Sequence, residues 1–333
     1  MEIFWTKLPK PFFALAPMAE VTDAAFRRII AKYGKLARIA EWRGGPDVMW
    51  TEFVSADGLV SRGRERLRRD LVFTEAERPI VAQLFTAKPE KMLAAAKIIV
   101  ALGFDGLDIN MGCPDRKIEK QGAGAALMKN PPLARELIAA AKAGVAGRLP
   151  VSVKTRLGYA RDELETWLPE LLAEKLAAIT IHARTRAEMS RAPAHWDAIM
   201  RAVAIRDDLK SKTLIIGNGD APNLEIAKIR AEETGADGIM LGRAIFGNPW
   251  LFVETAQEVS PQKKLQVLAE HARLFEKLLG KVKSFAVLKK HFKAYLTGFS
   301  GVSELRQKLM AAPDAATVGQ IIDHEEALRF LRG

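Results

Sequence analysis

Apolar residues recur along the chain in two registers. Short runs rich in Val, Ile, Leu, Phe and Met alternate with longer stretches whose apolar positions return every three or four residues, the strand and helix signatures respectively. The short runs are FFALAPM (12–18), VMWTEF (48–53), IVAQLF (80–85), GLDINM (106–111), VSVKTR (151–156), AITIHA (178–183), LIIGNG (214–219) and GIMLGR (238–243). Between them, PEKMLAAAKIIVALG places Pro89 where a first helical turn accepts it, an apolar face through Met92, Ala95, Ala96, Ile99 and Leu102, and Gly103 as a stop. PPLARELIAAAKAG and NLEIAKIRAEETG likewise end in glycine. Eight β/α repeats over about 250 residues predict a (β/α)8 TIM barrel in preference to a doubly wound open sheet. The β-type runs stop near Pro261, and the remainder, from KKLQVLAEHARLFEKLLG to HEEALRFLRG, predicts helices only. The pattern therefore divides the chain into a barrel over 1–258 and a small all-helical C-terminal domain over 259–333.

Composition narrows the classes. The 333 residues are 49% hydrophobic and 27% charged, as in ordinary globular proteins. No run of roughly eighteen uncharged apolar residues is present and the N-terminus lacks a secretory pattern, so a cytoplasmic protein with no membrane span is expected. One cysteine cannot close an internal disulfide and excludes a CxxC zinc site, so no metal is expected. No obligate protein partner is evident.

The formal charge of +11 attracts polyanions. Arg62, Arg64, Arg66, Arg68 and Arg69 crowd SRGRERLRRD, a glycine-containing stretch read as a loop. A second cluster, KKHFKAYLTGFSGVSELRQK, interleaves Lys289, Lys290, Lys293, Arg306 and Lys308 with His291, Phe292, Tyr295 and Phe299. That mixture suits phosphates and exposed bases, and its spacing also fits the solvated face of an amphipathic helix.

In a (β/α)8 barrel the chemistry sits at the C-terminal ends of the strands. Those ends are polar here: Gln83; Asn110, Gly112 and Cys113; Lys154 and Arg156; His182 and Arg184; Asn218, Gly219 and Asp220; Gly242 and Arg243. Singly, His182 fits a core histidine and Lys154 an outward-pointing lysine; together they define one mouth. The glycines of IIGNGD and MLGRA let backbone N–H groups approach a phosphate, with Arg243 as a charged fork, where this fold binds phosphate. Lys154 and Gln83 over the barrel centre suit the polar edge of a flat ring, which suggests a flavin mononucleotide.

In order and spacing, LAPMAEVTDAAFRR, VAQLF, DINMGCPDRKI, GAGAALMKNP, SVKTRLG, TIHARTR, IIGNGD and TGADGIMLGRAIFGNPWLF resemble the signatures of the tRNA-dihydrouridine synthases over residues 12 to 255. KHFKAYL is similar to the C-terminal helical domain of bacterial members. The resemblance implies an enzyme holding FMN noncovalently that uses NADPH to reduce the C5–C6 double bond of particular uridines in tRNA. It implies Pro17, Met18 and Ala19 against the flavin, Gln83 and Lys154 at its polar edge and His182 near the ring. Asn218, Gly219, Asp220, Gly242 and Arg243 would hold the ribityl phosphate region. Cys113 matches the family's proton donor, and Asn110, Arg156 and Arg184 are expected to meet substrate.

Three positions depart from the family pattern. Glu20 replaces a glycine and puts a carboxylate near the flavin entrance; GKLARIAEWRGGPD (34–47) looks inserted; Ser190, Ala192 and His195 fall where a Tyr and a Gly before an Asp-Trp pair are usual.

The implied chemistry explains one cysteine. Hydride arrives at C6, and the charge that develops toward the C4 carbonyl must be quenched at C5 by an acid still protonated near neutrality. A thiol of pKa about 8.5 meets that requirement and a carboxylic acid does not. The target uridine must also be splayed from folded tRNA. An FMN barrel of the dihydropyrimidine or dihydroorotate dehydrogenase type, acting on a free small molecule, is the alternative; the basic clusters argue against it.

Overall fold

The structure is a computed structural model and describes residues 4–35, 45–253, 259–296 and 302–330. Each of the eight short apolar runs forms a strand: β1 Phe12–Leu15, β2 Met49–Ser55, β3 Ile80–Phe85, β4 Gly106–Asn110, β5 Val151–Arg156, β6 Ala178–His182, β7 Leu214–Asn218 and β8 Gly238–Leu241. All neighbours pair parallel in the order β1-β8-β7-β6-β5-β4-β3-β2. An Ala14–Val48 bridge and the Leu15 N–H donating to the Val48 carbonyl (3.0 Å) close the ring. Helices cover such strands on the outside and side chains fill the inside, which is why they read as apolar runs. Gln83, Asn110, Lys154, Arg156, His182 and Asn218 fall within the last residues of their strands, whereas β8 stops at Leu241 and leaves Gly242 and Arg243 beyond it.

The lower barrel interior is apolar. Phe12, Ala14, Trp50, Val81, Ala178, Ile216 and Met240 form one buried cluster, joined from below by Trp5 of the first 3-10 turn. The Trp5 ring lies 5.8 Å from Phe12 and 5.9 Å from Trp50.

The helix Pro89–Ala101 buries the expected Met92, Ala95, Ala96 and Ile99, but Leu102 is only half-buried. Gly144, read as a stop, lies inside the helix Pro131–Val145, which ends at left-handed Ala146. A Cβ on Gly144 would meet Ala96 Cβ and the Leu93 carbonyl oxygen, each at 2.6 Å, so this glycine serves a close helix approach. The arginine-rich stretch read as a loop carries a short helix, Arg64–Arg68, with no buried residue; a local i,i+3 charge pair between Glu65 and Arg68 lies along it. Arg62, Arg64, Arg66, Arg68 and Arg69 are all exposed.

The chain forms two compact units. One comprises residues 1–19, 46–71 and 78–242; the other comprises 20–45, 72–77 and 243–333. The second has helices Ala24–Ile30, Pro261–Leu279, Lys289–Tyr295, Val302–Ala311 and Ala315–Phe330 among its described residues. Asp23 starts the first by accepting from the Ala25 and Phe26 amides. Phe26 is fully buried against His271 (5.0 Å between ring centres) and His291 (4.4 Å). Arg27, equally buried, donates to Glu77 (2.8 Å) and to the carbonyls of Thr22 and Val72 (both 2.7 Å), tying the excursion 72–77 to this unit.

The amphipathic reading prevails over the nucleobase reading for the second basic cluster. His291, Phe292 and Tyr295 are buried, while Lys290 and Lys293 of the same helix are exposed. Phe299 and most of the apparent insertion (36–44) lie outside the described residues. Glu20 has φ of 57°, a left-handed conformation that costs glycine nothing, and pairs with Lys290 at 3.0 Å. No helix among the described residues is long and apolar enough to cross a membrane.

Candidate active site

Register builds the upper barrel in polar rows. Gln83 pairs with Asp108 and Asp108 with Ser152; Asn110 pairs with Lys154 and Lys154 with Thr180; Arg156 pairs with His182 and His182 with Asn218. Side chains two apart share a strand face, so Asp108 and Asn110, like Ser152, Lys154 and Arg156, lie above one another.

The first row is fully buried. Asp108 accepts from the Ser152 hydroxyl (2.5 Å) and from Gln83 Nε2 (2.7 Å). Asn110 Nδ2 donates to Gln83 Oε1 (3.0 Å), and Asn110 Oδ1 accepts from the Gly112 and Cys113 amides (3.1 and 2.9 Å). Burial pushes the Asp108 carboxyl up to about 6, against the opposing pull of Ser152, Gln83 and the Lys154 charge.

Cys113 is half-buried at the end of β4, and it is the only cysteine of the chain. Burial raises its thiol pKa, the Asp115 amide opposing, so it is protonated at neutral pH. Its carbonyl accepts from the Ala125 amide (3.0 Å). Gly124, at φ of 62°, lets that strand end and the following turn meet, because a Cβ there would sit 2.8 Å from the Cys113 carbonyl oxygen. Arg156 holds the same loop, donating to the carbonyls of Gly112 (2.8 Å), Met189 (2.9 Å) and Thr185 (3.2 Å). Burial lowers the Arg156 pKa only to about 10, so it stays charged.

Lys154 donates to Asn218 Oδ1 (2.8 Å), and Asn218 Nδ2 donates to the Met240 carbonyl (2.8 Å). Burial, with Arg156 adding repulsion, brings the Lys154 amine down to about 7 while Asp108 pulls the other way. Arg184 donates to the Ala192 carbonyl (2.6 Å), bonds Asp220, and lies 3.2 Å from His182 Nε2. Asp220 also accepts from the Ala194 amide at 3.0 Å.

The structure thus brings Gln83, Asn110, Cys113, Lys154, Arg156, His182, Arg184, Asn218 and Asp220 onto adjoining strand ends. Arg156 and Arg184 donate to neighbouring loops: Arg156 to those after β4 and β6, Arg184 to its own and to Asp220 after β7. Gly219 follows β7 and packs beside Ala194; His195 of the departing segment pairs with Glu188 at 2.7 Å. Pro17, Met18 and Ala19 follow β1, increasingly exposed, and a Cβ on Gly242 would touch Ala16 and Met18, both at 3.6 Å. Arg243 opens the 3-10 turn Arg243–Ile245, is exposed, and belongs to the second unit. Among the described residues no three His, Cys, Asp or Glu side chains converge on a metal position.

Sequence reasoning missed Asp108 and Ser152. Their signal was available: each is a polar residue inside a strand buried on both faces, at the spacing that shares a face with Asn110 or Lys154.

Comparison with known proteins identifies the family. The profile described as dihydrouridine synthase matches residues 14–331. The chain is 42% identical over 335 residues to the protein named "Probable tRNA-dihydrouridine synthase 2" of Bacillus subtilis (strain 168), covering 100% of this chain and 99% of that one. It is 39% identical over 329 residues to "Probable tRNA-dihydrouridine synthase" of Staphylococcus aureus (strain COL), covering 98% and 96%. Morphinone reductase, a solved structure, superposes with a TM-score of 0.54 at 15% identity over 78% of this chain and 90% of its own, a likeness of fold.

Proposed function

The chain belongs to the dihydrouridine synthase family, and on that premise we propose that it reduces the C5–C6 double bond of uridines in tRNA, holding FMN noncovalently and drawing reducing equivalents from NADPH. The observation that carries the reading is the placement of Cys113: a protonated thiol just past the end of β4, its amide bonded to Asn110 above a buried polar floor, within electrostatic reach of a lysine of pKa about 7.

The residues present fit a flavin by the chemistry of their donors. Lys154, half-buried, poised near neutrality and already aligned by Asn218, offers a cation to the electron-rich edge of an isoalloxazine ring. The side chains of Gln83 and Asn110 retain a second donor or acceptor each beyond the bonds they make within the barrel. Met18 and Gly242, adjacent across β1 and β8, would lie along the ring, and Gly219 with Gly242 leaves backbone N–H groups accessible to a phosphate. Arg243 supplies the phosphate fork in this reading.

When bound, the flavin supplies hydride to C6 of the base. The residues of this chain then handle charge and protons. Cys113 delivers its proton to C5, and its raised pKa keeps that proton available at pH 7. Arg156 holds the loop through Gly112, so the thiol does not drift as the base enters. His182, Arg184 and Asn110 border the same opening and are assigned to the substrate.

The barrel, 1–258, carries this chemistry, and the helical part, 259–333, binds tRNA, through exposed lysines such as Lys290 and Lys293 and not through its buried aromatic rings. The exposed arginines 62 to 69 add phosphate contacts from the barrel side. The deciding experiment supplies purified protein with FMN, NADPH and an unmodified tRNA transcript and assays dihydrouridine by mass spectrometry of the digested RNA. Formation of dihydrouridine at defined positions is expected; reduction of free uridine or uracil in place of tRNA would refute the reading.

A further inference from the structure

The buried polar row beneath Cys113 has a direction. A carboxylate has lone pairs and no proton, so each Asp108 oxygen accepts: one from Ser152 and one from Gln83. Gln83 must therefore turn its NH2 toward Asp108, which leaves its carbonyl oxygen toward Asn110. Asn110 must turn its own NH2 toward Gln83, at 3.0 Å, which leaves its carbonyl oxygen toward the Gly112 and Cys113 amides. Those amides can only donate. Two side-chain amides, each reversible alone, thus lie between an end that only accepts and an end that only donates, and a single orientation of each satisfies every bond.

We infer that Asp108 is a positioning residue for the reaction: acting through Gln83 and Asn110, it fixes the polarity of the row that holds the Cys113 loop. The site chemistry demands it. A thiol that delivers a proton to one carbon must be held against rotation of its loop, and the four residues after β4 carry no regular secondary structure before Asp115. The carboxyl lies at the floor of the opening, 0% exposed, where neither water nor substrate can substitute for it. Burial raises its pKa only to about 6, so it is a carboxylate at pH 7, and the Lys154 charge helps keep it so. An apolar residue at 108 would leave Gln83 Nε2 buried without its acceptor.

This role rests on reading Cys113 as the reacting thiol, but its geometry is testable without tRNA, because the chain has one cysteine and alkylation therefore reports on one loop. The test moves the carboxylate along the row. In Asn110→Asp the loop amides keep an acceptor, but Gln83 now has a carboxylate at each end and one NH2 to offer. Adding Asp108→Asn to that variant restores a donor: the new amide donates to Gln83, Gln83 donates to residue 110, and the loop amides donate as before. Iodoacetamide alkylation of the flavin-loaded proteins at pH 9 is the readout. Asn110→Asp is expected to alkylate about tenfold faster or more, and the double variant to return to within about threefold of wild type. A double variant as fast as Asn110→Asp, or an Asn110→Asp protein as slow as wild type, overturns the inference. If Asn110→Asp is insoluble, recovery of soluble, slowly alkylating protein in the double variant supports it and an insoluble double variant overturns it. A wild-type protein that orders its loop in this way yet leaves tRNA unreduced would fault the proposed function and leave the role of Asp108 in the fold standing.

Discussion

The upper barrel and the helical unit both bury polar side chains, and they do so in opposite ways. Around Asp108 the groups bond one another in sequence, from Ser152 to the Cys113 amide. Around Phe26, three ring nitrogens, Nε2 of His271 and Nδ1 and Nε2 of His291, have no hydrogen-bond partner among the described residues. The rings are held by aromatic contact instead, His291 lying 5.3 Å from Phe246 and 5.0 Å from His271. Burial keeps both histidines neutral, pushing His271 well below its ordinary value and His291 down to about 3. Bonded polarity marks a site where orientation matters; unbonded polarity marks a packing position that happens to be filled by imidazole.

The most drastic way to break this comparison is to remove residues 259–333. Their loss strips His271, His291, Phe275 and Tyr295 from a unit whose remaining part includes the fully buried Phe26 and the buried Arg27–Glu77 pair. An aggregating or unfolded product is expected, judged by size-exclusion chromatography and a thermal melt. A soluble truncated protein with a sharp melting transition would show that the helical unit lends nothing to the packing of residues 20–35.

Changing Cys113 probes the other side. Cys113→Ala should load flavin and accept hydride from NADPH near the normal rate, while reoxidation by tRNA slows by roughly 10²- to 10⁴-fold, the range for a lost general acid. Stopped-flow absorbance separates the two steps. Normal reoxidation would return the thiol to the ordinary role of a small buried side chain and pass the acid function to His182.

The smallest effect concerns the unbonded histidines. Their folded pKa values lie below the unfolded value near 6.5, so the unfolded chain takes up protons first as pH falls. Stability is therefore full above about pH 6.5 and declines below it, on the order of 1 kcal/mol per pH unit for each histidine until its folded pKa is reached. His291→Phe, which keeps the aromatic packing and discards the titration, should flatten that decline between pH 7.5 and 5. An unchanged slope of melting temperature against pH would place the acid sensitivity elsewhere.

The eight strands were legible because a parallel strand covered on both faces is a nearly unbroken apolar run, a signal that needs no knowledge of partners. Their polar ends were legible as a set for the same reason, standing out against apolar neighbours. What a single sequence hides is direction. KKHFKAYL reads as a row of ligand-ready rings or as an amphipathic helix, and only packing shows that His291, Phe292 and Tyr295 face inward. Gly144 reads as a stop because glycine ends helices, yet its missing Cβ is needed by another helix, which no local window contains. Asp108 was passed over because it sits mid-strand, one turn of the pleat below the residues that mark the mouth.

The split makeup of the helical unit has a consequence for how this protein is made. Helix Ala24–Ile30 leaves the ribosome early, while the helix Pro261–Leu279 that covers it follows more than two hundred residues later. At bacterial and eukaryotic elongation speeds of about 5–20 residues per second, Phe26 and its neighbours wait on the order of ten to fifty seconds for their cover. During that interval the nascent chain displays an apolar helix without its cover, which makes residues 20–35 the segment where a chaperone that holds apolar surface would bind and where slowed translation of the middle of the message would most reduce the yield of folded protein.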